Sequence, residues 1–292
     1  MQFFTDDHFS IGAAHLGAGL PCQDYALSGV KDTMAYAIVS DGCSTGGRTD
    51  VGARIIAHTA EVSIRDHWRR CSDPLRENSR LHIGMQQEVL LQQARLNLGL
   101  VQNDLLATCA YAYFSHRGGF VNVRGDAVVV VARRDGVMSF TKYSWANNMP
   151  LYPAYFADDY ASFARAHGGA GALAFEEDVW VYRPDEGWQT RGITKYSVGH
   201  GIKGCSTVFP IGFQTETAFV ALMSDGATQV DGIDWKEAAL SLMSFKGVEG
   251  SFAKRRMNGF IKNAQKKGKG PFDDIAYAVI RIASEENDDG ST

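Results

Sequence analysis

Apolar residues fall along this chain in short runs that stop at, or start from, acidic residues. Residues 34–39 form an unbroken apolar stretch that ends at Ser40-Asp41-Gly42. Ser224-Asp225-Gly226 closes a second run, and Asp273-Asp274 opens a third over 275–282. Arg124-Gly125-Asp126 sits between two more, and Gln23-Asp24 follows the first strand-like segment. Runs this short suit buried strands. The strongest β pattern covers 107–114, 119–123, 127–132 and 137–141, with turn residues between, and predicts an antiparallel meander. Further strands are predicted over 9–15 and 217–223. Helical spacing predicts one helix from about Val51, capped by Thr49 or Asp50, with Val51, Ile55, Ile56, Thr59 and Val62 as its apolar stripe. A second runs over 77–106, with Leu81, Met85, Val89, Leu90, Leu96, Leu100 and Leu105 available for the core. Others cover 235–245 and 250–265. Residues 143–204 break the rhythm. They hold Tyr152-Pro153-Ala154-Tyr155 and a short helix near 160–166, and read as an insertion over one end of the sheet.

A lone carboxylate at a strand mouth is most often a turn residue. Five of them, spread over the whole chain, point instead to one oxygen-rich metal site assembled by the fold. Mg²⁺ and Mn²⁺ prefer carboxylate, carbonyl and water ligands. Two such ions roughly 3.5–4 Å apart lower the pKa of a shared water and clamp a phosphoryl group, so no protein nucleophile is needed. An aspartate between the ions is the natural bridge, and Gly42 leaves its backbone carbonyl bare enough to reach a ligand.

Composition narrows the classes. The 292 residues fit one large domain or two small ones. A net charge of −4 gives no support for a nucleic-acid partner. The longest apolar run, 127–132, is far below the roughly 18 residues of a membrane helix, so no membrane partner is expected. Five scattered cysteines, with no C-x-x-C pair, indicate neither a disulfide framework nor a zinc site. Together with an N-terminus unlike a signal peptide, this predicts a cytoplasmic protein.

Taken in order, Gln23-Asp24, Ser40-Asp41-Gly42 with Gly46-Gly47, Thr108, Gly125-Asp126, Ser224-Asp225-Gly226 and Asp273-Asp274-Ile275 resemble the metal-dependent protein phosphatases, also called protein phosphatase type 2C. The spacing of Gly12, His15, Gly19, Pro21, Gln23 and Asp24, with Asp41-Gly42-Cys43-Ser44, resembles a bacterial branch of that family. The resemblance implies an α+β fold, a four-layer αββα sandwich of two antiparallel sheets flanked by helices. It implies one catalytic domain over 1–284; the acidic, small-residue composition of 285–292 predicts a disordered tail. It implies two Mn²⁺ or Mg²⁺ ions, with a third bound more weakly. Asp41 would bridge the first two and Gly42 would offer its carbonyl. Asp225 and Asp273 would hold the first ion, Asp24 would lie in the shell of the second, and Asp126 would join Asp225 at the third. Asp274 would support Asp273. The implied substrate is a phosphorylated protein.

Two positions depart from the family pattern. The phosphate-binding arginine five residues before Asp24 is Gly19 here, and the histidine some members carry after Asp-Gly is Cys43. His15, read as the end of the first strand, is the nearest group able to bind phosphate or protonate the leaving alkoxide. Its simpler reading is a histidine satisfied by backbone carbonyls. Cys43 reads more simply as a small packed residue than as a redox-sensitive thiol. The spacing of Gly199, Gly201 and Gly204 matches a dinucleotide fingerprint, but no strand precedes it. Two alternatives to a protein phosphatase stay open: hydrolysis of a small phosphate ester, and a metal-binding adaptor with weak catalysis.

Overall fold

The structure is a computed structural model, and it describes residues 1–145, 150–157, 160–166, 168–169, 173–197, 205–210 and 212–283. Two antiparallel sheets face each other. The first contains β2 (Asp24–Lys31), β3 (Met34–Asp41), β4 (Cys109–Ser115), β5 (Gly118–Arg124) and β10 (Cys205–Phe209), in the order β10-β5-β4-β3-β2. The second contains β1 (Gln2–Ser10), β6 (Ala127–Arg133), β7 (Met138–Trp145), β8 (Ala174–Arg183), β9 (Gly187–Ser197), β11 (Thr217–Met223) and β12 (Ile275–Ala283). Its order is β1-β12-β11-β6-β7-β8-β9. Helices α2 (Thr49–Cys71) and α3 (Ser79–Leu98) cover the outer face of the first sheet, and α6 (Trp235–Met243) and α7 (Phe252–Gln265) that of the second. The described residues also form three short helices: α1 (Ala13–Ala18), α4 (Pro153–Ala157) and α5 (Tyr160–Ala166). The expected αββα architecture is the one observed.

Coverage on both faces explains why the central strands are apolar without alternation. In β3, Ala35, Ala37 and Val39 enter the core between the sheets, while Met34, Tyr36 and Ile38 meet α2 and α3. In β12, Ala276, Ala278, Ile280 and Ile282 face the inter-sheet core, and Ile275, Tyr277 and Val279 face the α6–α7 layer. Among the described residues no helix is long and apolar enough to cross a membrane.

Four expectations need correction. The meander is broken in the middle: β4 pairs with β5 and β6 with β7, but β5 and β6 belong to different sheets. Gly125, at φ 93°, turns the chain across, in a conformation open mainly to glycine. The first strand ends at Ser10, so His15 lies in α1 rather than at a strand end. The stripe expected on α2 is only partly inside. Val51 and Val62 are exposed, and Ala53, Ile56, Ala57, Ala60 and Ile64 are buried instead. On α3 the burial is likewise shifted: Ile83 and Leu91 are inside, while Leu81, Met85, Val89 and Leu96 are exposed. The helix carries apolar residues on most of its faces, so periodicity alone could not choose which face docks. Gln87 goes inside because its amide donates to the Ile56 carbonyl at 3.2 Å.

The 143–204 tract also differs from an insertion lying over the sheet. Its described part supplies the β8–β9 hairpin, which pairs with β7 and extends the second sheet outward. The glycine-rich 199–204 segment and the 285–292 tail lie outside the described residues.

Candidate metal centre

Asp24 and Asp41 are directly opposite each other at the shared end of β2 and β3. Thr108, immediately before β4, holds the backbone there. The Asp41 N–H donates to Thr108 Oγ1 at 3.0 Å, the Thr108 N–H donates to the Asp41 carbonyl at 2.8 Å, and Ser40 Oγ donates to the Thr108 carbonyl at 2.6 Å. Gly42 then passes so close to its neighbours that a Cβ would lie 2.7 Å from the Thr49 carbonyl oxygen and 2.9 Å from that of Gln23. Thr49 Oγ1 donates to the Cys43 carbonyl at 3.1 Å, tying the loop after Asp41 to the start of α2.

The second sheet supplies the other carboxylates. Asp126 follows the crossover at Gly125, and Asp225 follows β11 at the start of a 3₁₀ turn, 225–228. Asp273 precedes β12. Ser224 and Ala276 exchange two hydrogen bonds at 3.0 and 2.8 Å, which aligns the Asp225 and Asp273 ends of adjacent strands. The Gln229 amide bridges them, donating to Asp225 at 3.0 Å and Asp273 at 3.3 Å.

Asp24, Asp41, Asp126 and Asp225 lie within one another's fields, and Asp273 lies within that of Asp225. Burial, then the charges of Asp24, Asp225 and Asp126, push the Asp41 carboxyl well above the usual range. Burial also dominates at Asp24; hydrogen bonds from Ser224 and Asp41 offset it in part, while Asp225 and Asp274 add to it. Asp126 is pushed up to about 7 by burial and Asp225, with Lys142 opposing. Asp273 rises through burial, partly countered by the Asp274 N–H, with Asp225 raising it further. The structure therefore brings together Asp24, Asp41, Asp126, Asp225 and Asp273, from both sheets and all along the chain.

So many carboxylates cannot all ionise together without a counter-charge. Asp24 Oδ2 is buried with no hydrogen-bond partner. Among the described residues, no Lys or Arg makes an ion pair within 4.0 Å with any of these five. An all-oxygen donor set with an unsatisfied buried oxygen fits a hard divalent cation.

Asp274 works differently. It is buried and fully engaged: the Gly12 and Gln23 N–H groups donate to it at 2.7 and 2.6 Å, and His15 Nδ1 lies 2.8 Å from Oδ2. It clasps α1 and the approach to Asp24 against the end of β12. His15 is therefore held by a carboxylate, not by backbone carbonyls, and its Nδ1 lies 4.0 Å from Asp273 Oδ1. Gly12 packs against this clasp so closely that a Cβ would collide with the Asp273 backbone. Gly19 caps α1 at φ 66°, its N–H directed to the carbonyls of His15 and Leu16. A side chain there would be strained, which gives a local reason for the absent arginine.

Two residues near the cluster carried no signal in the sequence. Lys142, on β7, lines a cavity of about 160 Å³ with Asp126 and Asp225. Tyr152, just before α4, is buried, and burial with the nearby Cys43, Asp126 and Asp41 raises its hydroxyl pKa. Lys142 reads as an ordinary strand residue, and Tyr152 as packing of an irregular tract.

Comparison with known proteins agrees with this geometry. The sequence profile described as Protein phosphatase 2C matches residues 11–257. A bacterial serine phosphatase superposes with a TM-score of 0.57 at 12% identity, covering 98% of this chain and 100% of that one. The S. agalactiae serine/threonine phosphatase gives 0.52 at 13% identity, over 97% and 100%. Serine/threonine phosphatase Stp1 from Staphylococcus aureus gives 0.54 at 11%, over 97% and 96%. No curated protein sequence matches. With its profile match spanning most of the chain and its carboxylates gathered at the ends of two facing sheets, this chain belongs to the protein phosphatase 2C family.

Proposed function

We propose that the protein is a Mn²⁺- or Mg²⁺-dependent phosphatase of phosphoserine and phosphothreonine in proteins, with its catalytic domain over 1–284. The observation that carries this reading is the gathering of Asp24, Asp41, Asp126, Asp225 and Asp273 at the facing strand ends, with Asp24 Oδ2 buried and without a partner. Asp41 and the Gly42 carbonyl would serve two ions, Asp225 and Asp273 one of them, and Asp24 the other. Asp126, with Asp225, would serve a weaker third. Bound Mn²⁺ or Mg²⁺ supplies an activated water and the positive charge that phosphoryl transfer needs. Thr108 and Ser40 hold Asp41 in place, and Gln229 spaces Asp225 from Asp273. His15, oriented through Nδ1 by Asp274, is the proposed group for the leaving alkoxide or a phosphate oxygen. The free thiols of Cys22, Cys43, Cys71 and Cys109 fit a reduced, cytoplasmic setting.

The test is hydrolysis of an aryl phosphate and a phosphothreonine peptide, with and without Mn²⁺. Activity on both that depends on Mn²⁺ is expected. Activity on the aryl ester alone would move the substrate to small phosphate esters, and none on either would favour the adaptor, the reading that Gly19 in place of an arginine supports. His15→Ala should slow the peptide far more than the aryl ester if His15 is the acid. It should weaken both alike, mainly in KM, if His15 binds phosphate.

A further inference from the structure

We infer that Trp145 is a positioning residue for Asp126, and through it for the weakest of the three proposed ions; the inference rests on the metal-dependent reading above. Gly125 and Asp126 link the two sheets and belong to no strand, since β5 ends at Arg124 and β6 starts at Ala127. Their backbone must be fixed by something other than a ladder. Arg124 anchors the incoming side, its Nη1 3.4 Å from Glu88 Oε1 on α3. Beneath Gly125 there is no slack: a Cβ would lie 2.7 Å from Thr108 Cγ2, and Thr108 is the residue that also holds Asp41. The Gly125 carbonyl accepts a buried hydrogen bond from Trp145 Nε1 at 2.7 Å.

Strand register makes this bond possible. β6 and β7 pair with Val128 opposite Lys142 and Ala127 opposite Tyr143, so Trp145, two residues further along β7, comes level with Gly125. The chain has left the sheet there, and the indole N–H takes the place of the next ladder bond. Trp145 is buried, and its ring lies 5.6 Å from that of Phe175, the residue opposite it on β8. Phe175 in turn stacks on Tyr196 of β9 at 4.9 Å, so the indole is held from behind. Trp145 also lines the small cavity that Asp126 and Asp225 share. Groups that orient a metal ligand from outside the coordination shell typically change metal affinity by about 10–100-fold when removed. Here the lever is one peptide long. Freeing the Gly125 carbonyl lets the Gly125–Asp126 peptide plane turn, which moves the Asp126 carboxylate relative to Asp225. Asp24, Asp41 and Asp273 stand at the ends of other strands, so the ions they serve are outside its reach.

The probe is Mn²⁺ alone, titrated into the full chain, with free ion read by electron paramagnetic resonance. Two variants remove the N–H. Trp145→Phe keeps an aromatic ring, and benzothienylalanine at position 145 keeps the whole ring shape with sulfur in place of the N–H. Both should weaken the weakest Mn²⁺ by about tenfold and leave the two tighter ions within about twofold of wild type. In an Asp126→Asn background, which lacks the third ion, the same two changes should alter neither remaining affinity. An unchanged third affinity in the benzothienylalanine protein would overturn the inference. So would equal weakening of all three ions, or the same loss in the Asp126→Asn background, since either would make Trp145 a general support of the fold. A wild type that takes up two ions and no third would overturn this inference and leave the two-ion reading standing. No Mn²⁺ uptake at all would overturn both.

Discussion

Asp126→Asn, studied in the metal-free protein, isolates the electrostatic cost of the carboxylate cluster. Burial and the Asp225 charge raise the Asp126 carboxyl from its ordinary 3.8 to about 7. Because the folded value is the higher one, the folded chain holds a proton between those limits that the unfolded chain has released. Stability from this group is thus fully present below about pH 4 and is lost as pH rises through 7. A rise of that size corresponds to roughly 4 kcal/mol, an upper value because Asp41 and Asp225 share the same field. Asparagine keeps the shape and removes the ionisation. Under chelator at pH 8, Asp126→Asn should therefore be more stable than wild type by up to about 4 kcal/mol, or about 8 °C in Tm. The two should converge near pH 4. The assay is thermal unfolding from pH 4 to 8.5 with chelator present. Adding Mn²⁺ should stabilise the wild type most at high pH, since the ion binds the deprotonated carboxylates of the folded state. Parallel pH profiles for variant and wild type, or a variant less stable at pH 8, would refute the reasoning.

Asp41→Asn should abolish Mn²⁺-dependent phosphate release while leaving the circular dichroism spectrum intact. Asp274→Ala removes the acceptor of two buried N–H groups and the anchor of His15. It should cost about 3–5 kcal/mol in urea unfolding and expose the Gly12 and Gln23 amides to hydrogen exchange. In Gly226→Ala the new methyl would collide with the Asp274 carbonyl, and a loss of about 1–3 kcal/mol should appear in the same unfolding assay.

The elements of the site were legible because they are local. An apolar run buried on both faces reads as a strand, and an acidic residue at its end reads as a ligand candidate wherever the strand lies. That placed Asp24, Asp41, Asp126, Asp225 and Asp273 at strand ends before any pairing was known. The pairing itself was not legible. Nothing in 107–141 says that Gly125 carries the chain from one sheet to the other, yet this crossover puts Asp126 beside Asp225. Periodicity could not say which face of α3 docks, because apolar residues surround the helix; the Gln87–Ile56 hydrogen bond and the fit of Ile83 and Leu91 beneath α2 decided it. Nor could it seat His15 on a helix, since what holds it is a carboxylate 259 positions away in the chain. Strand propensity and turn chemistry act over a few residues. Sheet order, the clasp at Asp274 and the convergence of the carboxylates exist only once distant segments share the same few ångströms.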